Sequence, residues 1–539
     1  MERFRIAIKR WQARANRIGP AARRKPRRMR ETPCLWLALL LGLSLLAGVL
    51  AVPMRAGAAP ADRALQDQLL ADIKVLASDE FLGREPGTEG ETRTLRWLGK
   101  QWFDIGLVSG SNDPGHPWFA PVTLLGRQPA GSTVQIVRRG RAVTLPRDEA
   151  LALTSGRRSL IEAAPLLFVG RDLTRVPTRA ELAGRVAVLL DRREPAKSGK
   201  GGAVDPAVAG ERQNALLAAG ASAVVTVLDG DRTLAAVAAR RTRSGYAVAS
   251  ETLGGDLEVF MAAAAFERML GPGPDRLAAL EAEADRAGFV PRPLDLTANL
   301  EATTRETTIR THNLIGKIPG RRPESGAVLF LAHWDHFGTC AQPPAEHLIC
   351  NGAIDNASGV AALTEIARRL AHGPPLDRDL YFLATTGEEL GLLGAQAFTE
   401  SPPLPLKKIV AAFNLDSVAI APAGSTLGIV GKGMTPLDPG VAQVARAMRR
   451  KLSDSTAPND YIRRQDGWAL LRHDVPAIMV TSAYGDLSRL EKFFDGDYHR
   501  PTDVVKPGLE LGGAAEDVLF HIALARWFGD PRKAPAPLR

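Results

Sequence analysis

Residues 327–336 read AVLFLAHWDH. Six consecutive apolar residues, Ala327–Ala332, predict a strand buried on both faces, the kind found in parallel sheets. The tetrad His333-Trp334-Asp335-His336 then falls just past the strand's carboxyl end, where open α/β sheets gather functional groups. The pattern repeats downstream. Leu380–Thr385 (LYFLAT), Ile409–Leu415 (IVAAFNL), Thr426–Val430 and Pro476–Thr481 (PAIMVT) predict further strands. Ser358–Ala371, Leu392–Phe398, Pro439–Leu452 and Ala514–Trp527 predict helices among and after them. This alternation predicts an α/β fold with a mostly parallel, mixed sheet sandwiched by helices.

Upstream the character changes. Leu65–Ala77 and Thr92–Ile105 carry apolar residues at three- and four-residue spacing and predict helices, separated by the Gly/Pro/acid loop SDEFLGREPGTEG at 78–90. Short Val/Leu-rich runs then follow at Ser132–Val137, Pro165–Val169, Arg185–Leu190, Ala223–Val227 and Gly245–Val248, with helical stretches at Gln213–Ala219 and Pro274–Ala287. They predict a β-rich insert without a catalytic cluster. The expected organisation is a basic flank plus signal peptide or signal anchor (1–58), an N-terminal part of the main domain (59–143), the insert (144–286) and the main part with the site (287–530).

Hydrophobic residues make up 45% of the 539 residues and charged residues 24%, which excludes a disordered or coiled-coil chain. The net charge of +10 suggests nucleic acid until it is divided. Residues 1–30 hold twelve Lys/Arg and one acid, a net of +11, so the remaining 509 residues sum to −1. The expectation is no nucleic-acid partner. The basic flank precedes Leu35–Val52, an 18-residue uncharged run, and then Ala56-Gly57-Ala58, which resembles a signal-peptidase site. Either the segment is cleaved, with Met29 as an alternative start, or it stays as an anchor in the cytoplasmic membrane through residues 35–52. Both readings put the rest of the chain outside the cytoplasm, periplasmic or secreted. Cys340 and Cys350 lie ten residues apart in one polar, Pro-rich loop. Export allows a disulfide between them, and the loop chemistry favours it over two unpaired small hydrophobes.

The polar residues past the strand ends form a set. Asp355 lies at the mouth of a helix, Glu388 and Glu389 follow LYFLAT, Asp416 follows IVAAFNL, and His499 sits in DYHRPTD at 497–503. Two imidazoles with several carboxylates suit zinc, and also Co2+ or Mn2+. A shared carboxylate such as Asp355 can bridge two ions. Asp335, two residues from His333 in extended chain, points to the same side and could orient the imidazole. Adjacent Glu388 and Glu389 point apart, so one can bind metal while the other takes a proton.

AHWDH (332–336), NGAIDNASG (351–359), TTGEELGLLGA (385–395), FNLDS (413–417) and DYHRPTD, in this order and spacing, resemble the M28 family of zinc aminopeptidases. The loop at 78–90 is similar to that family's N-terminal part. LAGRVAVLLD (182–191) with NALLAAGASAVVTV (214–227) resembles its inserted protease-associated (PA) domain. The resemblance covers roughly residues 65–525. It implies the zinc-dependent exopeptidase type of sheet and two zinc ions per chain. His333 and Asp416 would hold one ion, Glu389 and His499 the other, with Asp355 bridging, Glu388 as general base and Asp335 as orienter. It also implies peptide substrates, hydrolysed from the N-terminus by metal-activated water. Arg464-Gln465-Asp466-Gly467 departs from the Ser-Asp-His triplet found in many members, which weakens inference about the substrate pocket.

Taken singly, each of these residues has a plainer reading. An Asp-Glu pair in a turn is usually solvated, and a lone His usually hydrogen-bonds nearby, which is the reading given to His336. Five motifs at successive strand ends outweigh that reading for the set. No G-x-S-x-G elbow and no H-E-x-x-H occurs, so serine-hydrolase and thermolysin-like sites are excluded. The rivals are a carboxypeptidase or a glutaminyl-cyclase-like enzyme on the same scaffold, and a non-catalytic binding protein.

Overall fold

A computed structural model describes residues 60–535, apart from 172, 174, 192–205, 229–231, 242–244, 250–255 and 273–275. The basic flank, the apolar run at 35–52 and the Ala56-Gly57-Ala58 pattern lie outside the described residues. Among the described residues, no helix is long and apolar enough to cross a membrane.

Helix α1 (Pro60–Leu76) buries Leu65, Leu69, Ile73 and Leu76, one face at three- and four-residue spacing. Helix α2 (Glu89–Asp104) starts at Thr88, whose hydroxyl accepts from Gly90 N at 3.1 Å. It buries Leu95, Leu98 and Trp102, and the Trp102 indole donates to Thr364 Oγ1 at 3.1 Å.

The chain then builds β1 (Phe119–Arg138), β2 (Arg158–Gly170), β3 (Val186–Leu190), β4 (Ala223–Leu228) and β5 (Leu257–Ala262). Strands β2, β3, β4 and β5 run parallel in that order. Their inward residues, Phe168, Val188, Val225 and Val259 among them, form a core distinct from the one under α1 and α2. The return strand β6 (Arg292–Ile318) is unexpectedly long. Its first half pairs antiparallel with β2, most of its length with β1, and its last residues with the main sheet. One strand therefore belongs to both regions.

The main sheet holds β7 (Ala327–His333), β8 (Asp379–Thr385), β9 (Ile409–Asn414), β10 (Gly428–Val430) and β11 (Ala477–Thr481). The order is β10-β11-β9-β7-β8-β6; β11, β9, β7 and β8 are parallel, while β10 and β6 are antiparallel edges of this group. This is the mixed, mostly parallel sheet the sequence predicts. The unbroken apolar run of β7 follows from two-sided burial. Val328, Phe330 and Ala332 face one core, Ala327 and Leu329 with Leu331 the other. Helices α3 (Gly359–Ala371) and α7 (Gly512–Phe528) cover the first face; α4 (Leu393–Glu400) and α6 (Leu487–Gly496) cover the second, while α5 (Asp438–Ala447) packs beside α7. Fully burying one such side chain stabilises by about 1.5–3 kcal/mol.

Cys340 and Cys350 are disulfide-bonded, with Cα atoms 5.7 Å apart. The bond closes a small hairpin in which Gly338–Thr339 pairs with Ile349–Cys350.

Candidate metal centre

The parallel register brings three strand ends together. His333 is the last residue of β7 and pairs with Thr385, the last of β8, while Leu331 pairs with Asn414, the last of β9. Past those ends the chain supplies His333, Glu388, Glu389 and Asp416, and the turn before α3 adds Asp355.

His333 Nε2 lies 3.2 Å from Asp355 Oδ1 and 3.7 Å from Asp416 Oδ1. His499 Nε2 lies 3.2 Å from Asp355 Oδ2 and 3.0 Å from Glu389 Oε2. Asp355 thus stands between two groups, His333 with Asp416 and His499 with Glu389. Among the described residues, three sets have donor atoms all within 4.8 Å of one another: His333/Asp355/Asp416, His333/Glu388/Glu389 and His336/Asp355/Glu389.

Backbone geometry explains how these residues converge. Gly387 has φ +59°, a left-handed turn that costs glycine little. The chain folds back there, and Leu393 N donates to Gly387 O at 3.0 Å. Gly352 also has positive φ, and a Cβ there would come within 2.0 Å of Asp355 O and 2.7 Å of the His336 ring. The Asn356 side chain accepts from Gly359 N and Ser417 N and donates to Leu415 O, tying the Asp355 turn to the Asp416 loop. The buried Asp503 carboxylate accepts from Ile354 N and Asp355 N, each at 3.0 Å, tying the His499 loop to the same turn.

Arg84, from the loop at 78–90, is 1% exposed. Its guanidinium donates to the carbonyls of Leu76, Trp334, Asn351 and Gly352 at 2.6–3.0 Å. It clamps two ligand loops through their backbone and leaves the carboxylates unpaired by it.

Burial pushes Asp335 up to about 7 and Asp466 and Asp503 to about 6. Desolvation pushes the Glu388 carboxyl well above the ordinary carboxylate range, although the residue as a whole is half-buried. Burial opposes charge on His499, but the Asp355 and Glu389 carboxylates beside its Nε2 raise it to about 9. His333 Nε2, His336 Nε2, Asp335 Oδ2 and Asp355 Oδ2 are buried without a hydrogen-bond partner of acceptable geometry. An orphan of this kind costs about 1–3 kcal/mol, more when charged, and native structures rarely keep several in one place. Imidazole and carboxylate donors converging as orphans fit a divalent zinc-type cation.

The family model of peptidase family M28 matches residues 313–516, a segment that contains every residue of the cluster except Arg84. That stretch, and not the chain as a whole, is what is similar to peptidase family M28. Curated relatives match over short stretches. A probable zinc metalloprotease of Pyrenophora tritici-repentis is 45% identical over 67 residues, 12% of this chain and 15% of that protein. Aminopeptidase YwaD of Bacillus subtilis is 33% identical over 126 residues, 23% of this chain and 25% of that protein. The chain thus matches a quarter or less of the length of these two relatives. The aminopeptidase from Aneurinibacillus sp. strain AM-1 is similar in structure with a TM-score of 0.49 and 18% identity, over 88% of this chain and 96% of that one.

Every residue singled out from sequence, His333, Asp335, Asp355, Glu388, Glu389, Asp416 and His499, lies in this one cluster. One detail differs from the expectation, and the reading of His336 as hydrogen-bonded nearby agrees with the structure. His333 Nδ1 faces the backbone carbonyl of Asp335 at 3.2 Å, whereas the Asp335 carboxylate is 3.8 Å away and accepts from Glu388 N at 3.2 Å. His336 is fully enclosed, with Nδ1 2.5 Å from Glu389 Oε1. The Asp335 difference has a backbone cause. The strand ends at His333, so the alternation that put Asp335 on the His333 side stops there. Arg84, Asp466 and Asp503 carried no sequence assignment. The signal available for Asp503 was its place inside the DYHRPTD motif; Asp466 and Arg84 are lone charges whose burial only the tertiary fold reveals.

Proposed function

We infer that the chain is a zinc-dependent exopeptidase that removes N-terminal residues from peptides. The observation that carries this reading is the buried convergence of orphaned imidazole and carboxylate donors beside Glu388, a carboxyl held next to the set and raised in pKa. In this reading His333 and Asp416 would hold one zinc and Glu389 and His499 a second, with Asp355 placed between the two groups. Bound zinc supplies Lewis acidity, lowering the pKa of water from about 15.7 to about 7 and polarising a substrate carbonyl. Glu388 accepts the proton of the attacking water and returns it to the leaving amine, a role that a raised carboxyl pKa favours. Asp335 positions this base, because its carboxylate holds the Glu388 N–H and so fixes the turn. The Asp335 carbonyl accepts from His333 Nδ1 and leaves the Nε2 lone pair, on the side of Asp355 and Asp416, free to hold a cation.

Residues 144–286 are read as a PA-like insert, and the catalytic part as exported, with residues 35–52 either removed or retained as an anchor. These readings rest on sequence pattern. The activity is tested with a panel of aminoacyl-nitroanilides against N-blocked peptides on the zinc-loaded protein. Release of nitroaniline from free-amine substrates alone is expected. Cleavage of N-blocked peptides alone would replace the aminopeptidase reading with a carboxypeptidase.

A further inference from the structure

The segment 457–471 reaches the surroundings of the cluster at Thr385 and Tyr498. A 3-10 turn, Ala457–Arg464, leads into Gln465-Asp466-Gly467 and a short helix, Gly467–Leu471. The segment is pinned from below. Asp466 is buried and accepts from Thr385 Oγ1, at the end of β8, at 2.5 Å. Gln465 is buried too and accepts from Gly467 N at 2.8 Å. Arg464, immediately before them, is exposed.

Its guanidinium is nevertheless held in place. It lies 5.0 Å from the ring centre of Phe494 and 5.7 Å from those of Tyr461 and Tyr498, and Nη2 donates to the Tyr498 hydroxyl at 3.4 Å. The Tyr498 ring in turn stacks on His499 with centres 3.6 Å apart. One aromatic ring therefore separates this cation from a side chain that touches Asp355 and Glu389. Among the described residues, no carboxylate lies within ion-pair distance of Arg464. The neighbouring Arg463 differs: it has Glu211 at 3.9 Å and packs over Trp468.

Aromatic faces hold a guanidinium without neutralising it, and they leave its N–H edge free. A guanidinium presents five N–H donors in a planar fork that matches a carboxylate, and here one phenol takes one of them. The geometry points to Arg464 as the anchor for a substrate carboxylate: the free C-terminus of a short peptide, or an acidic side chain beside the scissile bond. This deepens the peptidase reading and rests on it for the word substrate. Arg464 is a specificity determinant and takes no part in proton transfer.

Binding without turnover tests it. The zinc-loaded Glu388→Gln protein is titrated calorimetrically with Leu-Gly and its C-terminal amide, and with glutamyl- and glutaminyl-nitroanilide. A C-terminal anchor makes Leu-Gly bind roughly 10- to 100-fold tighter than its amide, the range for a hydrogen bond to a charged group. A side-chain anchor puts the same ratio between the nitroanilides. Arg464→Met in that background should erase the ratio without changing zinc content. Should the Met variant fail to hold zinc, Arg464→Lys carries the test, with the ratio expected to fall several-fold as the planar fork is lost. No carboxylate preference in either pair, or a preference that survives loss of the guanidinium, overturns the anchor. The peptidase reading is judged separately, on wild-type hydrolysis of leucyl-nitroanilide. Failure there with the carboxylate preference intact would sink that reading and leave the anchor standing.

Discussion

Two regions of this chain use the same local plan to different ends. Strands β2–β5 and strands β7–β9 are both parallel and apolar, and each group ends some strands in acidic residues. At the end of β3 stands Asp191, 1% exposed, and cations surround it. Arg171 donates to its carbonyl, and Arg232 and Arg212 approach its carboxylate at 3.3 and 3.7 Å. At the ends of β7–β9 the carboxylates meet imidazoles and one another, and the nearest buried arginine, Arg84, spends its donors on backbone carbonyls. A strand-end acid is therefore a poor marker of chemistry by itself. What separates the regions is whether protein cations already satisfy the acids.

The widest predicted gap sets Asp355 against Asp191. Asp355→Ala should abolish zinc binding and turnover. Asp191→Ala should cost about 3–5 kcal/mol of stability, as expected when one partner of a buried ion pair is removed. It should leave zinc per folded chain unchanged. Metal analysis beside thermal unfolding checks both, and loss of zinc in the Asp191 variant would break the contrast. Within the site, Glu388→Gln should keep the metal and lower turnover by about 10²–10⁴-fold, while Glu389→Gln should lower metal content. Exchanged phenotypes would reassign the pair.

Two smaller effects sharpen the same contrast. His521, on the inner face of α7, is fully buried; among the described residues no carboxylate pairs with its ring, and Nδ1 faces Asp517 O at 2.7 Å. Burial lowers it from 6.5 to about 4. The unfolded chain then binds a proton on this ring that the folded protein refuses. Stability present above pH 6.5 is lost as pH falls toward 4, about 2 kcal/mol of it by pH 5. His521→Gln should narrow the drop in melting temperature between pH 7 and pH 5. The disulfide closes a loop of about eleven residues, for which chain entropy allows somewhat under about 3 kcal/mol. Cys350→Ser should lower the melting temperature modestly and move KM more than metal content, because the loop runs from His336 to Asp355.

The alternating strands and helices of the main domain were legible because burial on both faces of β7, β8 and β9 leaves unbroken apolar runs. Strand β6 was hidden because its middle, Thr303–Thr308 (TTRETT), contains no apolar residue; it is a strand because β1 pairs along it. The helix predicted over Pro439–Leu452 stops at Ala447. Arg449 turns to φ +57°, and Lys451 O accepts from Leu427 N, a tertiary contact that helical spacing does not reveal. In the site, residues attached to strand ends could be listed from sequence. The partner chosen by each atom could not, because residues 334–337 belong to a loop held by Arg84, a residue 250 positions upstream of Trp334.

The central claim is that the orphaned donors around Asp355 exist to hold metal. Its most direct test is elemental analysis of the purified folded protein, with activity followed through chelation and refilling. The account predicts close to two zinc ions per chain, loss of turnover with a chelator, and recovery with zinc or cobalt. Full turnover by a chain with no detectable metal would contradict it.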